Sequence, residues 1–174
     1  MSILKVAHMG HPVLRMRARP IDRSELSSQV MQTLIDDMIE TMVEYKGVGL
    51  AAPQVHQGLR LFVASLDSDD SNAPAHVMVN PEVVPIGSDT EDDWEGCLSI
   101  PDIRGRVPRA REVRVRALDR HGERFELRAH GFPARIIQHE TDHLDGVLFF
   151  DRMKTFESLA FLDEYVKYWA KDGD

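Results

Sequence analysis

The strongest constraint on this 174-residue sequence is the His-Glu-Thr-Asp-His run from His139 to His143. Each residue of an α-helix advances by about 100°, so these two imidazoles lie roughly 40° apart on one face and can bind the same divalent cation. Glu140 falls beside that face, where a carboxylate can reach a metal-activated water without becoming a ligand. The apolar run before His139 predicts that the helix is buried, and buried imidazoles need partners. The sequence therefore predicts a fold built around a metal-binding helix.

The single cysteine supplies a candidate third ligand. Cys97 stands in the run Glu95-Gly96-Cys97-Leu98-Ser99, and its thiolate would complete a His₂Cys set with an open position for water. A closed structural zinc site would need a further His, Asp or Glu. A small buried thiol is the commoner fate of a free cysteine, so that alternative stays open. Gly96 favours the metal hypothesis, because it lets the backbone come close to a reacting centre.

A third group of residues runs from Gly47 to Gln54 and consists of glycines, alanines and other residues with little side-chain bulk. The run can be a helix terminus and nothing more. It can also line a cleft with backbone, and the Gln54 amide at its end would then donate a hydrogen bond into that cleft.

The composition is that of one globular domain spanning residues 1–174. Hydrophobic residues make up 43% and charged residues 29% of the chain, with no repeat or linker. The net charge of −8 argues against a nucleic-acid surface. Basic residues do gather from Arg104 to Arg116, but they mostly alternate with apolar ones, which is typical of a strand with one solvated face.

The cysteine count and the absence of long apolar runs bear on location. One cysteine cannot form an internal disulfide, so a cytoplasmic location fits better than an oxidising compartment. We expect no signal peptide and no membrane span in this sequence.

Hydrophobic periodicity predicts an α+β fold with antiparallel strands around the central metal-binding helix and with an N-terminal and a C-terminal helix. Ser24 is a candidate N-cap for a first helix from Leu26 to Tyr45, which Gly47 and Gly49 end. Its methionines are expected to pack in the core. An amphipathic stretch from about Phe156 to Trp169 predicts the last helix.

The metal-binding helix is predicted to begin near Pro133 and to end at Gly146, with Phe132, Ile136, Ile137 and Leu144 packed in the core. The polar segment from Asp67 to Pro74 is predicted to be a mobile surface loop. Apolar runs predict the first two strands, and alternation of apolar and polar residues predicts the other two. They are Leu61 to Leu66, Val77 to Asn80, Val113 to Leu118 and Phe125 to Ala129, of which the last two form a hairpin.

With these residues in place, the sequence resembles the peptide deformylase family. Three motifs occur in order: GxGxAAxQ from Gly47 to Gln54, EGCxS from Glu95 to Ser99, and QHExDH from Gln138 to His143. A Pro-Val-Leu-Arg run at Pro12 to Arg15 and similar spacing extend the resemblance over most of the chain.

The resemblance implies a metallohydrolase that removes the formyl group from N-formylmethionyl peptides and releases formate. Cys97, His139 and His143 would hold the metal, and Glu140 would act as general base toward the attacking water. The developing oxyanion would be stabilised by the metal, the Leu98 backbone N–H and the Gln54 amide.

The same resemblance implies the substrate-binding residues. The backbones at Val48, Gly49 and Gly96 would align the peptide as an added strand, and Ile136 would line the methionine pocket. Arg104 would lie toward the C-terminal side of the peptide. Two alternatives stay open: an ordinary core role for Ile136 and a solvated surface charge for Arg104.

The ligand set admits Fe(II), Zn(II), Co(II) or Ni(II), and the resemblance favours Fe(II). Nascent chains are the implied substrate and the ribosome a possible partner. The chain departs from the family at Lys46, before the glycine motif, and at the acidic and bulky run from Asp92 to Trp94, which we expect to affect peptide preference. Gly131 to Arg135 and the short tail resemble a branch that includes organellar deformylases, which leaves an organellar origin open.

Three other functions are alternatives to this one. A zinc endopeptidase shares the HExxH helix, but its third ligand is usually a downstream His or Glu rather than an upstream Cys. A metal-stabilised binding module requires a closed fourth position. A deformylase-like enzyme for a different formyl amide stays open, since the motifs define the chemistry better than the peptide.

Overall fold

One helix lies between two antiparallel sheets and contacts both of them. The structure, a computed structural model, describes residues 2–67 and 73–170. Its helices are α1 (Arg23–Leu26), α2 (Gln29–Glu44), α3 (Phe132–Leu144) and α4 (Leu162–Tyr168), with 3-10 turns at Pro12–Arg15, Ala52–Val55, Phe149–Arg152 and Phe156–Ser158. The helix between the sheets is α3, which carries the His139 to His143 run. The predicted α+β fold with a central metal-binding helix is confirmed.

The strands form one sheet of five and one of three. The larger sheet has the order β1-β2-β3-β6-β7 and the smaller sheet has the order β4-β5-β8. Strands β1 and β4 therefore each lie at an edge of a sheet. The strand bounds are β1 Gly49–Ala51, β2 Leu61–Ala64, β3 His76–Pro85, β4 Thr90–Cys97, β5 Ile100–Ala110, β6 Glu112–Leu118, β7 Arg124–His130 and β8 Ala160–Phe161.

Strand β2 is buried on both faces and forms the middle of the larger sheet's core. Side chains along a strand point alternately to opposite faces. Leu61 and Val63 accordingly pack in the same apolar cluster as α2, whereas Phe62 and Ala64 pack in the cluster that contains α3. The larger sheet is thus covered by α2 on one face and by α3 on the other. The buried residues of α2 include Met31, Met38 and Met42, which confirms the predicted core role of its methionines.

The first predicted helix is wrong in its bounds. The chain forms two helices there, α1 and α2, and the longer one begins at Gln29. Ser28 rather than Ser24 is its cap, because the Ser28 hydroxyl accepts a hydrogen bond from the Met31 N–H. At the other end the left-handed residue is Lys46, with φ of 54°, and not a glycine. Val30 and Val43 fit the three- and four-residue spacing of apolar residues along this helix, but they are 81% and 66% exposed.

The C-terminal stretch and the smaller sheet also differ from the prediction. Phe156 to Trp169 is not one helix: a 3-10 turn and the short strand β8 precede α4. Strand β4 was not predicted, and β5 was given no bounds, although its second half lies in the basic run from Arg104 to Arg116. Exposed acidic residues in β4 and prolines in β5 give these segments a low local strand propensity. Their long antiparallel pairing, from Thr90 opposite Ala110 to Glu95 opposite Gly105, stabilises them as strands.

The other predicted elements agree with the structure. The β6–β7 hairpin pairs Glu112 with His130 and Leu118 with Arg124. Helix α3 has Pro133 in its first turn. Most of the predicted loop from Asp67 to Pro74 lies outside the described residues. No helix in the described part of the chain is long and apolar enough to cross a membrane.

A substitution in α2 tests the layered core. Ile35 is fully buried between α2 and the larger sheet, so Ile35→Ala is expected to lower the free energy of unfolding by about 2–5 kcal/mol. Val43→Ala removes apolar atoms from the exposed face of the same helix, and we expect a change of no more than about 0.5 kcal/mol. Urea unfolding of both variants gives the comparison, and equal losses would contradict the assigned faces of α2.

Candidate metal centre

Cys97, His139 and His143 bring their ligating atoms together where β4 ends against α3. His143 Nε2 lies 3.2 Å from His139 Nε2 and 3.3 Å from Cys97 Sγ. All three residues are buried, and their ligating atoms lie within 4.8 Å of one another. The helical spacing predicted from the sequence and the upstream cysteine thus converge on one point.

This donor set fits a single divalent metal. Metal–nitrogen bonds of about 2.0–2.1 Å and metal–sulfur bonds of about 2.3 Å place neighbouring tetrahedral donor atoms roughly 3.3–3.6 Å apart, close to the separations here. His143 Nε2 lies near two other ligating atoms, and a single N–H could not donate a good hydrogen bond to both. A cation between the three atoms would attract all of them. Within the described residues, the cluster contains no fourth His, Cys, Asp or Glu.

Glu95 orients one of the two imidazoles. Its carboxylate lies 2.9 Å from His139 Nδ1, and because an ionised carboxylate only accepts hydrogen bonds, the hydrogen lies on Nδ1. His139 Nε2 is then left with its lone pair toward the metal cluster. Carboxylate partners of this kind fix the tautomer and the ring orientation of a ligating histidine.

Glu95 is itself held by a buried ion-pair network. Arg109 donates to both Glu95 oxygens at 2.8 and 3.0 Å and to Asp142 at 2.6 Å, while Arg135 donates to Glu95 at 2.9 Å. Burial by itself raises the pKa of Glu95, but hydrogen bonds from His139 and Arg109 outweigh burial and hold the pKa well below its ordinary value. The two acids and two arginines of this network balance each other, so each of these four buried charges has a partner.

Arg109 corrects one sequence-based prediction. It belongs to the basic run from Arg104 to Arg116, which we predicted to be a solvated strand face, and Arg114 and Arg116 are indeed exposed. Arg109 instead is 5% exposed and bonded to two buried carboxylates. Alternation along a strand places every second residue inside, and a buried arginine looks like its exposed neighbours in sequence.

Glu140 lies beside the cluster as a nearly free buried carboxylate. The residue is 4% exposed, and its Oε2 has no hydrogen-bond partner. Burial raises the pKa of this carboxyl to about 7. Gly49 packs directly against it, since a Cβ at that position would lie 2.7 Å from the Glu140 carboxyl carbon. A carboxyl group with little else to bond is suited to taking up and releasing a proton.

Gln54 directs its amide nitrogen into the same site. Its Oε1 accepts a hydrogen bond from the Ala51 N–H at 2.8 Å, which leaves Nε2 on the other side. Nε2 lies 3.5 Å from Cys97 Sγ and 3.3 Å from Ser99 Oγ. The predicted donor into the cleft is therefore positioned by the backbone of its own motif.

A cleft of about 410 Å³ opens onto these groups. Phe132 lies at the rim of the cleft and is 52% exposed, so its predicted place in the core is wrong. His143 is almost completely buried and is the one predicted site residue that does not line the cleft. The predicted residues that do line it are Val48, Gly49, Gln54, Gly96, Cys97, Leu98, Arg104, Ile136, His139 and Glu140.

The residues that hold the ligands in place were not predicted from the sequence. Glu95 was noted only as a neighbour of Cys97, and Asp142 only as part of the HExxH run. Arg109 and Arg135 were not predicted to contact either acid. A signal was available for the acids, because charged residues beside predicted metal ligands in a buried segment need buried partners. The arginines that meet them lie 14 and 40 positions from Glu95 and carry no local signal.

Comparison with known proteins identifies the family. A family model described as polypeptide deformylase matches residues 3–158. The chain belongs to the polypeptide deformylase family. Members of this family are metal-dependent hydrolases that remove the formyl group from N-terminal formylmethionine, so the predicted enzyme class and function are confirmed. A zinc endopeptidase and a non-catalytic binding module do not fit this family.

Individual deformylases agree over most of their length. Peptide deformylase 2 of Xanthomonas axonopodis pv. citri is 48% identical over 152 residues, covering 87% of each chain. Peptide deformylase 1 of Prochlorococcus marinus is 41% identical over 170 residues, covering 94% of this chain and 88% of its own. A Met-Ala-Ser-bound crystal structure of the class I type b deformylase from Acinetobacter baumannii has a TM-score of 0.80 at 45% identity, covering 88% of this chain and all of that one.

Removing the charge of Glu95 tests the network around the deformylase metal ligands. Glu95→Gln leaves Arg109 and Arg135 buried without a full counter-charge, so we expect a loss of about 3–5 kcal/mol in the free energy of unfolding. The metal affinity should fall by about 10–100-fold, because His139 loses its orienting carboxylate. Urea unfolding of the metal-free protein and a competitive metal titration measure the two effects.

Glu126→Gln is the matched control, since the Glu126–Arg116 pair is exposed on the β6–β7 hairpin. We expect it to leave the metal affinity unchanged and the unfolding midpoint nearly so. A Glu95→Gln protein that binds metal as tightly as wild type would show that His139 does not depend on this carboxylate.

Proposed function

We propose that this cleft deformylates the N-formylmethionyl ends of newly made polypeptides with Glu140 as general base and general acid, and with Gln54 and Leu98 as hydrogen-bond donors to the oxyanion. The observation that carries this assignment is the buried Glu140 carboxylate beside the Cys97, His139 and His143 cluster, with one oxygen unpartnered. We further propose that residues 1–174 act as one catalytic domain, since α3 packs against both sheets.

Cys97, His139 and His143 would hold the metal. When bound, it would supply Lewis acidity, which makes water a competent nucleophile at neutral pH and polarises the formyl oxygen. The remaining steps belong to side chains and backbone of the chain itself.

Glu140 moves the proton. It takes a proton from the water that attacks the formyl carbon, and it returns that proton to the amine nitrogen as the carbon–nitrogen bond breaks. The products are formate and a peptide with a free amino terminus. Its raised pKa, which results from burial, places the carboxyl group near neutrality, where it can act in both directions.

Gln54 and Leu98 stabilise the charge that develops on the formyl oxygen. The Gln54 amide is fixed by Ala51 and directed toward Cys97, and Leu98 follows the cysteine directly and lines the cleft. Preorganised donors of this kind are typically worth about 2.7–4 kcal/mol of activation free energy each.

The peptide binds between two sheet edges. Strand β1 begins at Gly49 and lies at the edge of the larger sheet, while β4 ends at Cys97 and lies at the edge of the smaller one. Both edges border the cleft, so an extended peptide can add to them through main-chain hydrogen bonds. Val48, Gly49 and Gly96 are the backbone positions at this insertion point, with Arg104 on the C-terminal side of the substrate.

The methionine side chain is assigned to the apolar part of the cleft at Ile136 and Phe132. Ile136 is buried in the core that α3 forms with the larger sheet and also lines the cleft, so its two predicted roles are compatible. The Met-Ala-Ser peptide bound to the Acinetobacter baumannii deformylase supports a peptide of this type as ligand here.

Fe(II) is our proposed native metal, with Zn(II), Co(II) or Ni(II) as substitutes that the same ligands accept. We place the enzyme in the cytoplasm, in line with its bacterial relatives, and we propose the ribosome as the site where it meets nascent chains.

Formate release from formyl-Met-Ala-Ser by anaerobically purified protein tests the proposed function. Glu140→Ala is expected to keep its metal, because Glu140 is not a ligand, and to be at least about 10²-fold slower. Metal content is measured for both proteins. An equally fast variant would remove Glu140 from the mechanism, and a metal-loaded wild type without activity would move the search to other formyl amides.

Exposure to air tests the identity of the metal. A ferrous ion and the Cys97 thiolate can both be oxidised, so the iron form is expected to lose activity in air. Nickel substitution should prevent the loss. Residual activity after timed exposure, measured for both forms, gives the answer, and equal stability in air would count against Fe(II) as the native metal.

A further inference from the structure

The two edges of the larger sheet have different surroundings. Strand β1 borders the cleft, whereas β7 (Arg124–His130) forms the opposite edge and none of its residues lines the cleft. We call the side of β7 that faces away from β6 the free edge. An edge strand presents unpaired backbone groups, and strands of two chains can pair there.

The pairing of β7 with β6 shows which backbone groups point to the free edge. At one end of this ladder the Gly131 N–H donates to the Arg111 carbonyl. At the other end the Asp119 N–H donates to the Glu123 carbonyl, and the register does not shift in between. Hydrogen-bonded and non-hydrogen-bonded pairs alternate in an antiparallel ladder, so the odd-numbered residues of β7 bond to β6. The residues whose N–H and C=O groups point outward, with no bonding partner among the described residues, are Arg124, Glu126, Arg128 and His130.

We propose that the free edge of β7 pairs with the same edge of a second copy of this chain, as antiparallel strands related by a twofold axis at Leu127. The two five-stranded sheets then form one sheet of ten strands. This inference goes beyond the proposed function and does not depend on it, because no residue of β7 lines the cleft.

The alternation of side chains along β7 limits the registers that a second copy can adopt. Phe125, Leu127 and Ala129 lie on the face that packs in the α3 cluster, and the first two are only half-buried there. The even-numbered side chains are exposed on the other face. Residues opposite each other in a ladder lie on the same face, so the partner strand must bring like faces together. The registers that do so and keep most of the strand paired are centred on Glu126, Leu127 or Arg128.

Charge selects the register centred on Leu127. Charged side chains ordinarily protect an edge from pairing, but along β7 they alternate in sign. A centre at Glu126 places that carboxylate against its own copy, and a centre at Arg128 does the same with the guanidinium. With Leu127 at the centre, Glu126 of each copy lies opposite Arg128 of the other, which is favourable where like charges are not. The ion pair forms twice, as a twofold interface requires.

Two features of the single chain agree with this register. Arg128 lies directly opposite Arg114 of β6, and its one ion pair within the described residues is with Glu112 at 2.8 Å. Glu126 of the second copy adds a carboxylate beside these two like charges. On the other face the half-buried Leu127 meets its own copy, so the apolar layer over α3 continues across the axis.

The contact is small. One strand of seven residues per copy buries less than the roughly 1,200–2,000 Å² of stable interfaces. The association is therefore expected to be reversible and to depend on protein concentration. Its ion pairs are exposed to solvent, so it should also weaken as the ionic strength rises.

Sedimentation velocity tests the inference at protein concentrations up to about 1 mM, which detects dissociation constants of that order. We expect a concentration-dependent dimer for the wild type. Glu126→Arg and Arg128→Glu each place like charges opposite each other, and each should weaken self-association at least about tenfold. Glu82→Arg is the matched control, because it makes the same change on the exposed face of β3, an inner strand of the sheet. It should associate like the wild type.

A mixture of the two charge variants gives a positive readout. One variant carries a basic side chain and the other an acidic side chain at both positions, so the mixture restores both ion pairs. We expect mixed dimers from two proteins that are each monomeric alone. Formate release should match the wild type in every variant, which shows that the proteins are folded.

A cysteine at the axis tests the register. Leu127→Cys brings two thiols together in a non-hydrogen-bonded pair with Cα atoms about 4.5 Å apart, which is within the range of a disulfide. Mild oxidation should give a covalent dimer on non-reducing electrophoresis. Phe125→Cys is the matched control, since Phe125 is also half-buried on β7 but lies opposite Ala129 in this register. It should stay monomeric.

A wild type that sediments as a monomer at every concentration would overturn the inference. The same conclusion would follow from a dimer that persists in both charge variants, from a mixture that does not associate, or from equal crosslinking of the two cysteine variants. Formate release by the wild type reports on the proposed function separately, so either proposal can fail while the other stands.

Discussion

The site depends on one buried carboxylate. Glu95 lies at the end of β4 and joins three elements, because it accepts hydrogen bonds from Arg109 of β5 and from Arg135 and His139 of α3. Such a group is costly to bury, and only its paired arginines make the arrangement stable. The same contacts orient His139 and place Cys97, two residues further along, opposite the helix. The packing of the smaller sheet against α3 and the positions of the ligands therefore depend on the same carboxylate.

The cleft exists because two sheet edges face each other across this centre. Strands β1 and β4 each lie at the edge of a sheet. Each contributes a glycine at the position with the least room for a side chain. A side chain at Gly49 would collide with the Glu140 carboxylate, and one at Gly96 would collide with the Arg104 guanidinium. The two glycines thus leave room for the Glu140 carboxylate and the Arg104 guanidinium beside these edges. In the function we propose, substrate alignment and proton transfer depend on the same absence of side chains.

Sequence predicted the local parts of this structure well and the long-range parts poorly. The HExxH helix and the β6–β7 hairpin have strong local signals and were confirmed. Strand β4 and the bounds of β5 were missed, since their acidic residues and prolines suit a strand only once the two are paired. Arg109 was misplaced for a related reason: its partners lie 14 and 33 residues away. Amphipathicity likewise predicted one C-terminal helix. Backbone pairing with β5 instead makes part of that stretch a short strand.

A single metal would join Cys97 of β4 to His139 and His143 of α3. X-ray absorption spectroscopy at the metal edge of the nickel-loaded protein tests it directly, with Cys97→Ser as the comparison. We predict one metal per chain, with one sulfur and two imidazole nitrogens in its coordination shell and with loss of the sulfur signal in the variant. A shell without sulfur in the wild-type protein would contradict the account.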